Sequence, residues 1–426
     1  MSHAEVVCGD LLLFDGNPTR DPWQETVRIA TDGALLIEDG VIKSIGAPRD
    51  FPDLPRHDHR GRLICPGFVD AHAHYPQTAI IASWGKRLID WLNTYTFPEE
   101  MQFGDPKYAA EIAALYLDLL LAHGTTSVAS YCTTHPESVT AFFEAAAERK
   151  MAVIGGKTCM DRNAPNGLCD TAQSAYDDSK RLLDRWHGRD RARYAIAPRF
   201  SPTSTPEQLR ALGDLWAECP DCLMQTHLSE QLDEVSWVRG LFREARDYLD
   251  TYEAFGLLGS RGVYGHAIHL ERREIDRLEE VGAGLVHCPT SNTFIGSGLF
   301  DMRLSRRIKV GLATDTGGGS SFSMLRTMAS AYEIGQLCGN ALHPAELLWM
   351  ATAGSAGVLH RGDEIGTIAV GMAADLCILD LHSTPGIAQR AARANDVWDA
   401  VFPTIMMGDE RAVAEVWVAG SRVRAG

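Results

Sequence analysis

From about residue 66 to 365 the chain alternates short, continuously apolar runs with longer amphipathic stretches. The runs are "GFVDAHAH", "TTSVAS", "MAVIGGKTCMD", "RYAIAPRF", "CLMQTHLSE", "GVYGHAIHL", "GAGLVHCPTS" and "KVGLATDT". Between them lie segments such as "PKYAAEIAALYLDLLLAHG" and "TPEQLRALGDLWAEC", with apolar residues at helical spacing. Strands apolar on both sides belong in a parallel sheet covered by helices. Eight strand–helix units over about 300 residues predict an α/β fold of the (β/α)8, TIM-like barrel type. A doubly wound sheet with the same strand count is the structural alternative.

The two ends of the chain read differently. "GALLIEDGVIKSIG" (33–46) is split by Asp39-Gly40, a hairpin signal. "GTIAVGMAADLCILDL" (366–381) and "AEVWVAGSRVRAG" (414–426) have the same texture, with Ala419-Gly420 marking another turn. We therefore expect a barrel over 66–365 and a small β-sandwich built jointly from 1–65 and 366–426. The net charge of −16 argues against a nucleic-acid or anionic-membrane partner, both of which need clustered Lys and Arg. No apolar stretch reaches the roughly 18 residues of a membrane span, and the N-terminus lacks the pattern of an export signal. The ten cysteines are scattered through a long chain and read as reduced thiols of a cytoplasmic protein.

The polar residues of interest stand at the C-terminal ends of the apolar runs, where barrel active sites form. His72 and His74 close the first run at i and i+2, so both point to one face and can share a zinc-like metal. Asp70 is on the same alternation. His227 and His266 end the fifth and sixth runs and Asp315 ends the eighth. Singly each is as readily a hydrogen-bonded structural residue; together they suit one divalent metal with room for water. Glu230, three positions after His227, is either a carrier of the water's proton or a first-turn helix glutamate. Asp315 keeps a second oxygen that can also accept that proton. Arg199-Phe200, at the end of the fourth run, offers a planar donor to a substrate carbonyl beside a stacking ring, or else a salt bridge to a loop carboxylate.

Several other features are set aside. His269 faces away from His266 on a strand, and His287 is at most a neighbour of the ligands. Lys157 could bridge two metals as a carbamate, but Arg199 on the next run favours a single metal. Gly317-Gly-Gly319 lacks the Lys-Ser/Thr of a phosphate loop and is read as room for backbone approach. His135-Pro-Glu137 and Cys219-Pro-Asp-Cys222 imitate a cytidine-deaminase zinc motif, yet the residue before Cys219 is Glu218 rather than proline.

The assembled residues resemble the amidohydrolase superfamily and, within it, the guanine deaminase family. The likeness rests on "PGFVDAHAHYPQ" (66–77), "LIDWLNTYTFPEE" (88–100), "PRFSPT" (198–203), "QTHLSE" (225–230), "HCPTSN" (287–292) and "LATDTGGGSSFSML" (312–325). It implies one Zn2+ per chain on His72, His74, His227, His266 and Asp315, with Glu230 as proton shuttle. It implies that Gln77, Arg199 and Phe200 hold a purine, Arg199 facing the 6-carbonyl; Tyr75 and Pro76 are positions where relatives vary and where the fit of the base can shift. The implied reaction is hydrolysis of guanine to xanthine and ammonia in purine metabolism, by a homodimer. Rival readings are an aminohydrolase of another purine such as 8-oxoguanine, of a pterin or of a triazine, or a barrel kept as a non-catalytic scaffold.

Overall fold

A computed structural model describes residues 4–85 and 87–425, so residues 1–3 and 426 of the expected terminal spans lie outside the described residues. The chain opens with β1 (Ala4–Phe14), β2 (Val27–Glu38), β3 (Val41–Gly46) and β4 (Arg56–Pro66). Then come β5 (Phe68–His74), β6 (Thr125–Tyr131), β7 (Ala152–Gly156), β8 (Thr158–Cys159), β9 (Ala192–Pro198) and β10 (Leu223–Leu228). They are followed by β11 (Gly262–His266), β12 (Gly284–His287), β13 (Lys309–Leu312), β14 (Leu376–Leu379), β15 (Val413–Val418) and β16 (Ser421–Ala425).

All eight apolar runs form strands. They pair in the order β5-β6-β7-β9-β10-β11-β12-β13, every pair parallel, with the short β8 added beside β9. The helices begin where their caps dictate. Asp105, Thr171 and Thr205 accept hydrogen bonds from the backbone N–H of Lys107, Ser174 and Gln208 at the starts of Pro106–Ala122, Ala172–Trp186 and Pro206–Glu218. Val69, Ala71, Ile154, Ala195, Val263 and Val286 fill the interior of the barrel, while Val128, Val153, Tyr194, Met224 and Tyr264 pack outward against the helices.

The parallel order alone would fit an open sheet as well. The barrel reading is decided by bonds that bring the chain after β13 back to β5. Thr314 donates its backbone N–H to Asp70 Oδ1 at 3.0 Å and its hydroxyl to Asp70 Oδ2. One step further, Asp315 N–H bonds His72 C=O at 3.0 Å and His74 N–H bonds Thr316 C=O at 3.1 Å. The seam therefore closes at the C-terminal mouth.

The terminal segments form one seven-stranded sheet, ordered β16-β15-β14-β4-β1-β2-β3. Asp39 and Gly40 (φ 50° and 83°) turn β2 into β3, and Ala419 and Gly420 (φ 46° and 69°) turn β15 into β16. The expected sandwich is this single sheet folded over its own core. Ile42 N–H bonds Met372 C=O at 2.9 Å, bringing the β3 edge back to the chain before β14, and Val7, Leu35, Ile64, Leu376 and Trp417 are enclosed. Arg191, beside β9, makes a two-pronged pair with Asp375 at 3.0 and 2.6 Å, tying this sheet to the barrel. All ten cysteines are unbridged. Among the described residues no helix is long and apolar enough to cross a membrane.

Replacing Asp70 by Ala removes the acceptor of the buried Thr314 N–H and leaves the Thr314 hydroxyl only Thr316 Oγ1, 2.9 Å away, at a cost of about 1–3 kcal/mol. The thermal midpoint of D70A is expected several degrees below that of the parent, measured by circular dichroism. An unchanged midpoint would show that the seam holds without this carboxylate.

Candidate active site

Simple alternation along β5 would not bring its histidines inside. Val69 and Ala71 pack in the barrel interior, which leaves Asp70, His72 and His74 for the opposite side. The pairing of β5 with β6 slips between Asp70 and Ala73, and this irregularity turns the end of the strand. His72 and His74 then face inward, whereas Asp70 turns to the seam and does not join the cluster, contrary to its expected place beside them. A similar reset acts on β11. Tyr264 points outward, so an extended continuation would send His266 outward too; instead His266 and Ala267 adopt φ of 66° and 50°. Asp315 is also left-handed, at φ 48°. Such backbone costs about 1–2 kcal/mol per non-glycine residue and is characteristic of sites where geometry matters more than comfort.

One ligand-type atom from each of His72, His227, His266 and Asp315 lies within 4.8 Å of all the others. His74 flanks this group, its Nε2 3.1 Å from His227 Nε2 and 3.4 Å from Asp315 Oδ1. The ring orientations are set from behind. His227 Nδ1–H donates to the Arg199 carbonyl at 2.7 Å, and His266 Nδ1–H donates to Asn292 Oδ1 at 2.9 Å. Each ring therefore presents its Nε2 lone pair to the cluster. His72 Nε2 and His266 Nε2 are fully buried with no hydrogen-bond partner. Orphaned buried acceptors aimed at a carboxylate fit a cation, because leaving them empty costs desolvation with no return.

Charge states agree with that use. Burial pulls His72, His74 and His227 below the ordinary imidazole range, so they are neutral donors of lone pairs. Burial acts on His266 in the same sense, but the Glu230 and Asp315 carboxylates outweigh it and raise its pKa. Asp315 is buried, which pushes its carboxyl up, yet the imidazoles of His72, 3.5 Å away, His266 and His227 bring it down to about 2. Glu230 lies two residues past β10, its backbone N–H held by Glu234 at 2.9 Å. Its Oε1 accepts from Ser297 at 2.9 Å, and its Oε2 stands 3.6 Å from His266 Nε2. Burial, opposed by His266, pushes this carboxyl up to about 7.

Above the cluster lies a pocket. Leu88, Trp91, Leu92, Phe200 and Ile295 make its apolar walls; Gln77, Arg199 and Glu230 face the same space as His74, His227, His266 and Asp315. His72 sits beneath, its ring 4.7 Å from that of His227 and 5.4 Å from that of His266. His72, His74, Gln77, Arg199, Phe200, His227, Glu230, His266 and Asp315 thus meet at one mouth, whereas Asp70 goes to the seam and Tyr75 packs outward on Phe142.

The model of the amidohydrolase family matches residues 63–423. Guanine deaminase of Escherichia coli K12 is 42% identical over 404 residues, covering 93% of this chain and 92% of that protein. The solved guanine deaminase of Bradyrhizobium japonicum superposes with a TM-score of 0.97 at 34% identity, covering 99% of each chain. The chain belongs to the amidohydrolase family, among its guanine deaminases. A third relative, from Clostridium acetobutylicum, was solved with guanine bound in the active site; it superposes with a TM-score of 0.89 at 28% identity, over 99% of this chain and 100% of that one.

Three members of this amidohydrolase site were not singled out from the sequence. Glu100 bonds both Gln77 (2.9 Å) and Arg199 (2.7 Å); its one signal was a pair of acids ending the apolar string "LIDWLNTYTF". Asn292 orients His266 and stands in the quoted "HCPTSN". Ser297 holds Glu230 from a loop that carries no motif. Arg199 lines the pocket and is salt-bridged to Glu100, a carboxylate at the end of the short helix Phe97–Glu100 rather than in a loop.

The features set aside stay outside. His287 stacks on Phe300 and comes near the cluster through Asn292, 3.5 Å from its ring. His269 donates to the Ser297 carbonyl, and Lys157 is buried against Asp170 at 2.5 Å. Cys219 does approach Asp221 and His187, a trio of metal-ligand types. But His187 Nδ1 accepts the N–H of Tyr194, so its Nε2 carries the proton towards Asp221 and has no lone pair for a cation.

Gly265 is where the cluster is most sensitive to backbone contact. A Cβ there would lie 2.6 Å from Cε1 and 2.9 Å from Nδ1 of the His72 ring. Gly265→Ala is expected to displace that ring and weaken binding of a divalent metal at this cluster by about 10–100-fold. Metal titration with a competing chelator measures it; unaltered affinity would exclude His72 from the binding group.

Proposed function

We propose that this chain hydrolyses guanine to xanthine and ammonia, using one Zn2+ held by His72, His74, His227, His266 and Asp315. One observation carries the reading: the buried, unpartnered Nε2 of His266 and the polar side chains of Gln77, Arg199 and Glu230 share a single pocket with the Phe200 ring. The nitrogen-and-carboxylate donor set suits zinc. The guanine held by the Clostridium acetobutylicum relative supports the substrate, because that fold covers this chain from end to end.

What the metal supplies when bound is a water of pKa near 7, hence a nucleophile at neutral pH. The remaining work falls to side chains. Glu230 points one oxygen into the pocket while Ser297 holds the other, so a proton taken up there is delivered along a fixed direction. Delivered to the ring nitrogen beside C2, it draws electron density from that carbon as water adds. Asp315, ionised among the imidazoles, is a second acceptor for the water's protons. Arg199 faces the 6-carbonyl and Phe200 lies against the ring, keeping the base in plane. The 2-amino group then departs as ammonia once it has received a proton.

The test is to incubate the zinc-loaded protein with guanine and follow xanthine and ammonia, with adenine, cytosine and 8-oxoguanine alongside. Xanthine from guanine, and little reaction with the other bases, is expected; zinc bound without guanine turnover would overturn the reading. Glu230→Gln should retain zinc and lower kcat by about 10²–10⁴-fold. Turnover equal to the parent's would remove Glu230 from the proton path.

A further inference from the structure

Glu100 touches neither the metal cluster nor, by its contacts, the place of reaction, yet it is one of the most carefully placed acids in the molecule. Its side chain is 2% exposed. One oxygen accepts from Gln77 Nε2 at 2.9 Å and the other from Arg199 Nη1 at 2.7 Å. We infer that Glu100 is a positioning residue that selects which purine edge the pocket reads, by fixing the direction in which Gln77 presents its amide. The inference rests on the guanine reading above and names the source of its specificity.

The argument is one of donors and acceptors. An ionised carboxylate accepts only, so Gln77 must turn its NH2 towards Glu100 and its Oε1 away. Room for that oxygen is made by Gly317, at φ 110°; a Cβ on Gly317 would lie 2.0 Å from Gln77 Oε1. Arg199 carries donors alone. Both side chains line the cavity; with the NH2 of Gln77 held by Glu100, the group this amide has left for a ligand is its oxygen, an acceptor beside the donors of Arg199. The edge of guanine next to its reacting C2 carries N1–H and C6=O, a donor beside an acceptor. A 6-aminopurine carries the reverse, a bare N1 beside an amino group. The pocket complements the first and opposes the second.

Glu100→Gln makes the idea testable because its outcome is forced. Arg199 cannot accept, so the new amide must give Arg199 its oxygen and Gln77 its NH2. Gln77 then flips and shows NH2 to the substrate. The probe is 2,6-diaminopurine, which keeps the 2-amino leaving group and reverses the neighbouring edge. The parent should prefer guanine strongly in kcat/KM, and E100Q should reduce that preference by about 10–100-fold with zinc content unchanged. Gln77→Ala should reduce it likewise, and E100Q added to Q77A should change it by less than about threefold, since Glu100 acts through Gln77. A preference in E100Q within threefold of the parent, or effects that multiply in the double variant, overturns the inference alone. If E100Q does not fold, Q77A decides: an undiminished preference overturns the inference. No guanine turnover by the parent overturns the functional reading and this inference with it.

Discussion

The Asp70 carboxylate, locked onto the amide and hydroxyl of Thr314, joins the last barrel strand to the first, and the site exists only because that join is made. His72 and His74 belong to β5, and Asp315 to the chain leaving β13. These stand more than 240 positions apart in sequence, and the seam brings them to 3.5 and 3.4 Å. The backbone bonds Asp315–His72 and His74–Thr316 continue the seam through the cluster itself. Closing the barrel and assembling the cluster are therefore one event. An open sheet with the same strands would leave the aspartate on one edge and two histidines on the other.

Buried carboxylates recur in this role. Asp70 closes the seam, Glu234 holds the backbone N–H of Glu230 and Gln231, and Glu100 holds Gln77 and Arg199. Burying an acid costs several kcal/mol unless several donors meet it. Each of these three meets at least two, and each donor it collects belongs to a different piece of chain or is fixed by the collection. Acids of this kind add little net stability. What they contribute is direction, because a carboxylate with two good donors has few other arrangements.

Much of the architecture was legible because strands and helices have distinct periods. The eight runs and the turns at Asp39-Gly40 and Ala419-Gly420 follow from local chemistry. The ligand candidates were legible for a related reason, since a histidine or aspartate at the end of an apolar strand stands at the barrel's mouth. Asp70 was misplaced because alternation was carried through an irregularity that no residue type announces. Ser297 was missed because a loop serine has many possible partners, and only the approach of the 297 loop to Glu230 picks one out.

The sequence by itself determined the period of each element and the strand ends on which imidazoles and carboxylates stand. These are properties of neighbouring residues, set by backbone sterics and apolar spacing. Which way the end residues face was decided only in three dimensions. The slip in β5 and the left-handed turn at His266 each move a side chain from the outside of the barrel to the inside. The physical reason is the two-residue period of a strand: one irregular step reverses the facing of everything beyond it, and such a step persists only where the closed barrel compensates its cost.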